Sequence, residues 1–210
     1  IVDDDIVERS SSEGLTYELS TDGASYIIKG IGTCLDSDII LPSTYNGLPV
    51  TDIKSSAFFE CQSIVNVVIP DSVTSIGDHA FYGCSSLKSV TISNGVTAIS
   101  SRAFRDCTSL TSIVIPDGVI SIGEESFYGC SSLTNIIIPS SLTNIEKYAI
   151  YYCDNLTSIY YKGTMSQWNN ITIADHNYNV NNANKINYVS VPKLWFKQGS
   201  PERRAEVRQL

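Results

Sequence analysis

At 210 residues and 42% apolar content, the chain can bury a sizeable core in one domain and is too apolar for general disorder. Its 22 carboxylates against 14 cations give a formal charge of -8 and a pI near 4.7, which excludes the concentrated basic surface that nucleic acid or anionic lipid requires. No apolar run approaches the ~18 residues of a membrane span, so no membrane insertion is expected in this fragment, and with Ile1 in place of a start methionine it reads as trimmed or mature.

The opening "IVDDDIVERSSSEG" reads as a solvated lead-in rather than a cation site. "LTYEL" and "ASYIIKGI" then predict two strands joined at Asp22-Gly23, a hairpin cap within residues 1–38. Residues 39–161 repeat. Cysteine falls at Cys61, Cys84, Cys107, Cys130 and Cys153, always 23 apart. The same stride carries Phe58, Phe81, Phe104 and Phe127, ending in Ile150, and a leucine column that runs Leu87, Leu110, Leu133 and Leu156. Such self-similarity is the signature of a solenoid whose units bury their apolar faces only against neighbours. The slack before this array, where Pro42 stands five residues too early for the stride, is assigned to an inserted Asn46-Gly47 turn.

Within one unit, "LTSIVIP" alternates Ile113 and Ile115 inward with Ser112 and Val114 outward, the period of a strand. Pro116 ends it, and "GVISIG" makes a second extended segment with Val119 and Ile122 inward. "EESFYGC" places Phe127 and Cys130 three apart, which predicts a short helical or 3₁₀ turn. The expected fold class is thus an α/β solenoid, strand-rich, with about five 23-residue coils and helical turns opposite the strands. Stacking sets the cysteines in a column about 5 Å apart. Metal-binding or redox cysteines cluster as C-x-x-C or with His, so this column is read as buried, inert thiols. Cys34 lies outside the register without an evident partner.

Beyond the array the stride meets the wrong residues: Trp168 in the isoleucine column, Ile173 in the Phe column, His176 in the cysteine column. Residues 162–189 are therefore read as a degenerate capping coil, its Asn-rich "HNYNVNNANKINY" lacking a leucine strand. Residues 190–210 differ again. Lys193, Lys197, Arg203, Arg204 and Arg208 against Glu202 and Glu206 make a basic tail of +3, a linker, the start of a further segment or sequence not native to the chain.

The unit "IPDSVTSIGDHAFYGCSSLKSVTI" closely resembles the BspA-like, or treponemal-type, leucine-rich repeat, and "YKGTMSQWNNI" looks like the closing segment that follows such arrays. Ser93 for proline, Ser126 for alanine and Ile150 for phenylalanine are its departures. The resemblance implies a secreted or cell-surface protein of a host-associated bacterium, extracellular, acting in adhesion.

Chemistry is thin. His79 and His176 are the sole histidines, and neither lies in a nucleophile motif; the carboxylates are scattered, and phosphate loops and metal spacings are missing. No enzyme activity, cofactor or metal is expected. The candidate site is the outward side of the strands, a column of Asn66, Ser89, Ser112, Asn135 and Ser158 beside one of Val68, Thr91, Val114, Ile137 and Tyr160. The second column is apolar for an exposed ladder, which points to protein recognition, although β-branched residues also simply suit a strand surface. Glycan recognition is the alternative, with Tyr82, Tyr128, Tyr148, Tyr151 and Tyr152 as a second platform, and a rigid spacer is the third reading.

Overall fold

The computed structural model describes residues 11–180 and 186–188. Its strands are β1 (Thr16–Leu19), β2 (Tyr26–Gly30), β3 (Asp38–Ile40), β4 (Thr44–Tyr45), β5 (Leu48–Ile53), β6 (Asn66–Val68), β7 (Ser75–Ile76), β8 (Ser89–Thr91), β9 (Ala98–Ile99), β10 (Ser112–Val114), β11 (Ser121–Ile122), β12 (Asn135–Ile138), β13 (Asn144–Ile145) and β14 (Ser158–Tyr161). The single helix among the described residues, α1 (Met165–Trp168), precedes β15 (Thr172–Ile173) and β16 (Ile186–Tyr188). The chain winds as a β-solenoid of about seven turns. Each coil contributes one strand to each of two parallel faces. On the first, β3-β6-β8 and β10-β12-β14-β16 stack in register; on the second, β5-β7 and β9-β11-β13-β15. Central rungs pair at the 23-residue stride, Ile113 opposite Ile136 and Ile136 opposite Ile159.

The turns opposite the strands are not helical, which corrects the α/β and helical-turn expectation. In the turn 54–57 Ala57 donates to the Lys54 carbonyl, and in 58–61 Cys61 donates to Phe58, but the third residues, Ser56 and Glu60, have φ of 60° and 54°. Left-handed third residues suit type II turns and break any right-handed run. His79, Arg102, Glu125 and Tyr148 repeat the first of these positions, and Gly83, Asp106, Gly129 and Tyr152 the second. The geometry serves stacking, because it turns alternate amides toward the next coil. Phe58, Phe81, Phe104 and Phe127 donate to the carbonyls of Ala80, Ala103, Ser126 and Ala149 at 2.8–2.9 Å.

The interior is columnar. Phe58, Phe81, Phe104 and Phe127 are fully buried and stack with ring centroids 4.9, 5.3 and 5.6 Å apart and planes within 6° of parallel. Below them Cys84, Cys107, Cys130 and Cys153 are free and fully buried, while Cys61, at the open end of the column, is only partly covered. Each buried thiol donates to the Phe carbonyl 26 residues earlier, at 3.1–3.2 Å. Each of these carbonyls also accepts the amide of the cysteine three residues on, so the thiol of the next coil supplies its second bond. Burial pushes the Cys84 and Cys153 thiols up to about 12, and holds Cys107 and Cys130 well above the ordinary thiol range.

The two ends depart from the stride. β3 and β6 pair 28 residues apart, Ile39 opposite Val67; the five additional residues form the β4–β5 hairpin, which turns at Asn46 (φ 47°) and Gly47 (φ 80°). β1 and β2 form an antiparallel hairpin whose β2 adds to β5 in parallel as a further rung. At the C-terminal side, Asn144–Ile145 pair with Thr172–Ile173, again 28 apart, because α1 and its Thr164–Gln167 capping box add five residues. Ile173 therefore stands in the isoleucine column, not the Phe column, and His176 takes the left-handed turn position, not the cysteine position. A strand does follow: β16 pairs with β14, Ile186 opposite Ile159. The lead-in over residues 1–10 and the basic tail 190–210 lie outside the described residues.

Candidate functional site: the strand face and the turn ridge

On the first face, period-two alternation points Val67, Val90, Ile113, Ile136 and Ile159 into the core and leaves their neighbours outside. Asn66 aligns with Ser89, and Ser112 with Asn135 and Ser158; the parallel column aligns Val68 with Thr91, and Val114 with Ile137 and Tyr160. Val114 is 36% exposed; Thr91 and Ser89 are exposed, and the others half-buried. The polar column is internally bonded at its start, where Ser89 Oγ donates to Asn66 Oδ1 and Asn66 Nδ2 to Asp38 Oδ1. Beside it a third column, Val65, Lys88, Thr111, Thr134 and Thr157, brings the one charged side chain among the outward positions of these five rungs. Scarcity of charge lowers the cost of desolvating this surface, although its Ser, Thr and Asn side chains keep it polar.

The turn side carries a different surface. Phe59 and Tyr82 stack at 4.9 Å; Arg105 lies 5.6 Å from the Tyr82 ring and 4.2 Å from Tyr128, and Tyr128 meets Tyr151 at 5.8 Å. Glu125 accepts from both Arg102 Nε and Arg105 Nη1, and Arg105 Nε reaches Asp106 at 3.3 Å. Burial pushes the Glu125 carboxyl up, but the two guanidiniums outweigh it and leave the group below its ordinary range. A shallow cavity of about 350 Å³ is lined by Phe59, His79, Tyr82, Arg102 and Arg105. Its charges are paired within the ridge, so the same contacts hold successive turns together. Tyr148, Tyr151 and Tyr152 gather at the far end with His176 and Tyr178, of which Tyr152 and Tyr178 are 50% and 65% exposed. Sequence reading named most of these tyrosines; it missed Phe59 and Arg105, which share a 23-residue column with Tyr82, Tyr128 and Tyr151, and Glu125, which shares another with His79 and Arg102.

Among the described residues no three His, Cys, Asp or Glu side chains are grouped to hold a metal ion, and no helix is long and apolar enough to cross a membrane. The fold recurs in known structures. A Treponema pallidum leucine-rich repeat protein is 35% identical, with a TM-score of 0.66 over 72% of this chain and 70% of that one. A leucine-rich cell surface protein from Faecalibacterium prausnitzii is 37% identical, with a TM-score of 0.70 over 76% of this chain but 41% of its own. The pneumococcal vaccine antigen PcpA shares the fold at 16% identity, with a TM-score of 0.61 over 82% of this chain and 46% of its own. No curated protein matches the chain. The model of the BspA type leucine rich repeat region matches residues 51–186 in six copies, and with the 23-residue coils, the stacked Phe column and the paired strand faces now in view, the chain belongs to that family.

Proposed function

We propose that this chain is a non-enzymatic, cell-surface or secreted recognition module that binds a protein partner with its first strand face, acting in adhesion. The observation that carries the reading is the low charge of five successive rungs of that face, β6, β8, β10, β12 and β14, on a molecule of net charge -8. Its Val114–Ile137–Tyr160 column lies in one register across three rungs, a rigid apolar strip beside a hydroxyl and amide strip. Surface display rests on the family and on the cell-surface description of the Faecalibacterium relative. The test is binding to a panel of host matrix proteins and glycans, comparing the chain with a Val114→Asp/Ile137→Asp variant whose circular dichroism is unchanged. Loss of protein binding in the variant is expected. Protein binding that survives both aspartates overturns the reading.

A second reading draws on the exposed Tyr152 and Tyr178 rings: glycan binding at the end of the turn ridge. Glycan capture that is lost in a folded Tyr152→Ala/Tyr178→Ala chain and kept in the strand-face variant would favour it. Silence of every form across the panel would leave the spacer reading ahead.

A further inference from the structure

Among the described residues both strand ladders stop at one junction: β8 does not pair with β10, nor β7 with β9. The backbone bonds follow. Ile69 donates to Thr91 and Ile115 to Ile137, each at 2.9 Å, whereas the equivalent amide of Ile92 reaches no carbonyl. On the second face Thr74 and Ile120 donate to Thr51 and Thr97, and Gly77 and Gly123 to Ile53 and Ile99, all at 2.8–3.0 Å; the amides of Thr97 and Ser100 make no such bond. What remains, Thr111 to Lys88, is stretched to 3.4 Å. The turn side is intact, for His79, Phe81 and Gly83 donate to Ser101, Ala103 and Arg105 at 2.8–3.0 Å.

Side-chain packing loosens at the same place. Val90 and Ile92 are 8% and 5% exposed, whereas Val67 and Ile113, and Ile69 and Ile115, are at 0–1%. The sequence supplies a cause. Ser93-Asn94-Gly95 stands where a later coil has Pro116-Asp117-Gly118. Ser93 lacks the ring that fixes φ, and its buried Oγ has no partner. A Cβ on Gly95 would lie 2.4 Å from the Asp71 carbonyl oxygen and 2.5 Å from that of Val73; at Gly118 the corresponding distances are 3.1 and 3.3 Å. The corner between the two strands sits deeper on the coil below, and it joins β8 to β9, each of which keeps a ladder partner on one side only.

We infer that Ser93–Gly95 forms a seam at which the array flexes as two blocks hinged on the turn-side ladder. Unpaired strand amides and loosened packing mark regions of low local stability. Resting on the reading that the first face binds protein, the seam divides that face between Thr91 and Val114, so its curvature adjusts to the partner that spans it. The test is hydrogen exchange of the intact chain, followed at single amides. Ile92, Thr97 and Ser100 exchange at least tenfold faster than Ile69, Thr74, Gly77, Ile115, Ile120 and Gly123; equal protection overturns the seam. Ser93→Pro/Gly95→Ser, which rebuilds the corner found at Pro139–Ser141, is expected to slow Thr97 and Ser100 tenfold. A folded variant with unchanged exchange refutes this corner as the cause, and if the variant does not fold the wild-type comparison decides alone. Fast seam amides together with protein binding that ignores Val114→Asp/Ile137→Asp would leave the seam standing and the recognition reading refuted.

Discussion

Phe104 sits between Phe81 and Phe127 with no exposed surface, so Phe104→Ala empties the centre of the stack. A loss of about 3–5 kcal/mol is expected in urea titration; an unchanged midpoint would refute the inward column. The thiols make a prediction of opposite character. Their folded pKa values are raised by burial, to about 12 for Cys84 and Cys153, from ordinary values of 9.0. A raised folded value means that the contribution is complete below pH 9 and is lost as pH climbs toward 12, on the order of a few kcal/mol per thiol. Stability should therefore fall steeply across pH 9 to 12. Cys107→Ala/Cys130→Ala should flatten that slope, and an identical slope in the variant would show that these thiols do not set it.

Elements in this fold are held by corners as much as by ladders. Gly123 follows β11 where a Cβ would meet the Ile99 carbonyl and the Ser101 amide at 2.8 Å, backbone atoms that cannot swing aside. Gly123→Ala should lower stability by roughly 1–3 kcal/mol through that crowding, measured by denaturant melting. Gly23→Ala, open on all sides, carries only the strain of φ 71°, about 1–2 kcal/mol. The strands, the Asp22-Gly23 hairpin and the Asn46-Gly47 insertion were legible because period-two patterns and turn residues are local signals. The turns were misread. Phe127 and Cys130 three apart fit a helix as well as a pair of tight turns, and only the stacking of coil on coil, which asks alternate amides to face one way, selects left-handed Glu125 and Gly129. Of the candidate site, the strand columns could be written down from spacing alone, but not the Arg105–Glu125 pairing, which joins side chains 20 residues apart across two coils.

The whole molecule is nearly one-dimensional, each coil touching its neighbours, so its energetics should be those of a stack. Deleting Pro116–Ile138, one full stride, joins Ile115 to Pro139 as Ile138 was joined before. The shortened chain should keep its β-rich circular dichroism and unfold with a smaller denaturant slope, in proportion to the surface lost. Deleting 20 residues from the same point should abolish cooperative unfolding, because the columns no longer align.

The amino-acid sequence by itself determined the coil, its stride and the residues of each buried column, because a repeat that packs on copies of itself writes its contacts at a fixed interval. Tertiary structure alone decided the handedness of the turns, the 28-residue stride of the closing coil and the interruption between β8 and β10. These depend on how closely one backbone approaches the next, as where Gly95 lies against the carbonyls of Asp71 and Val73, and such a distance has no period to be read.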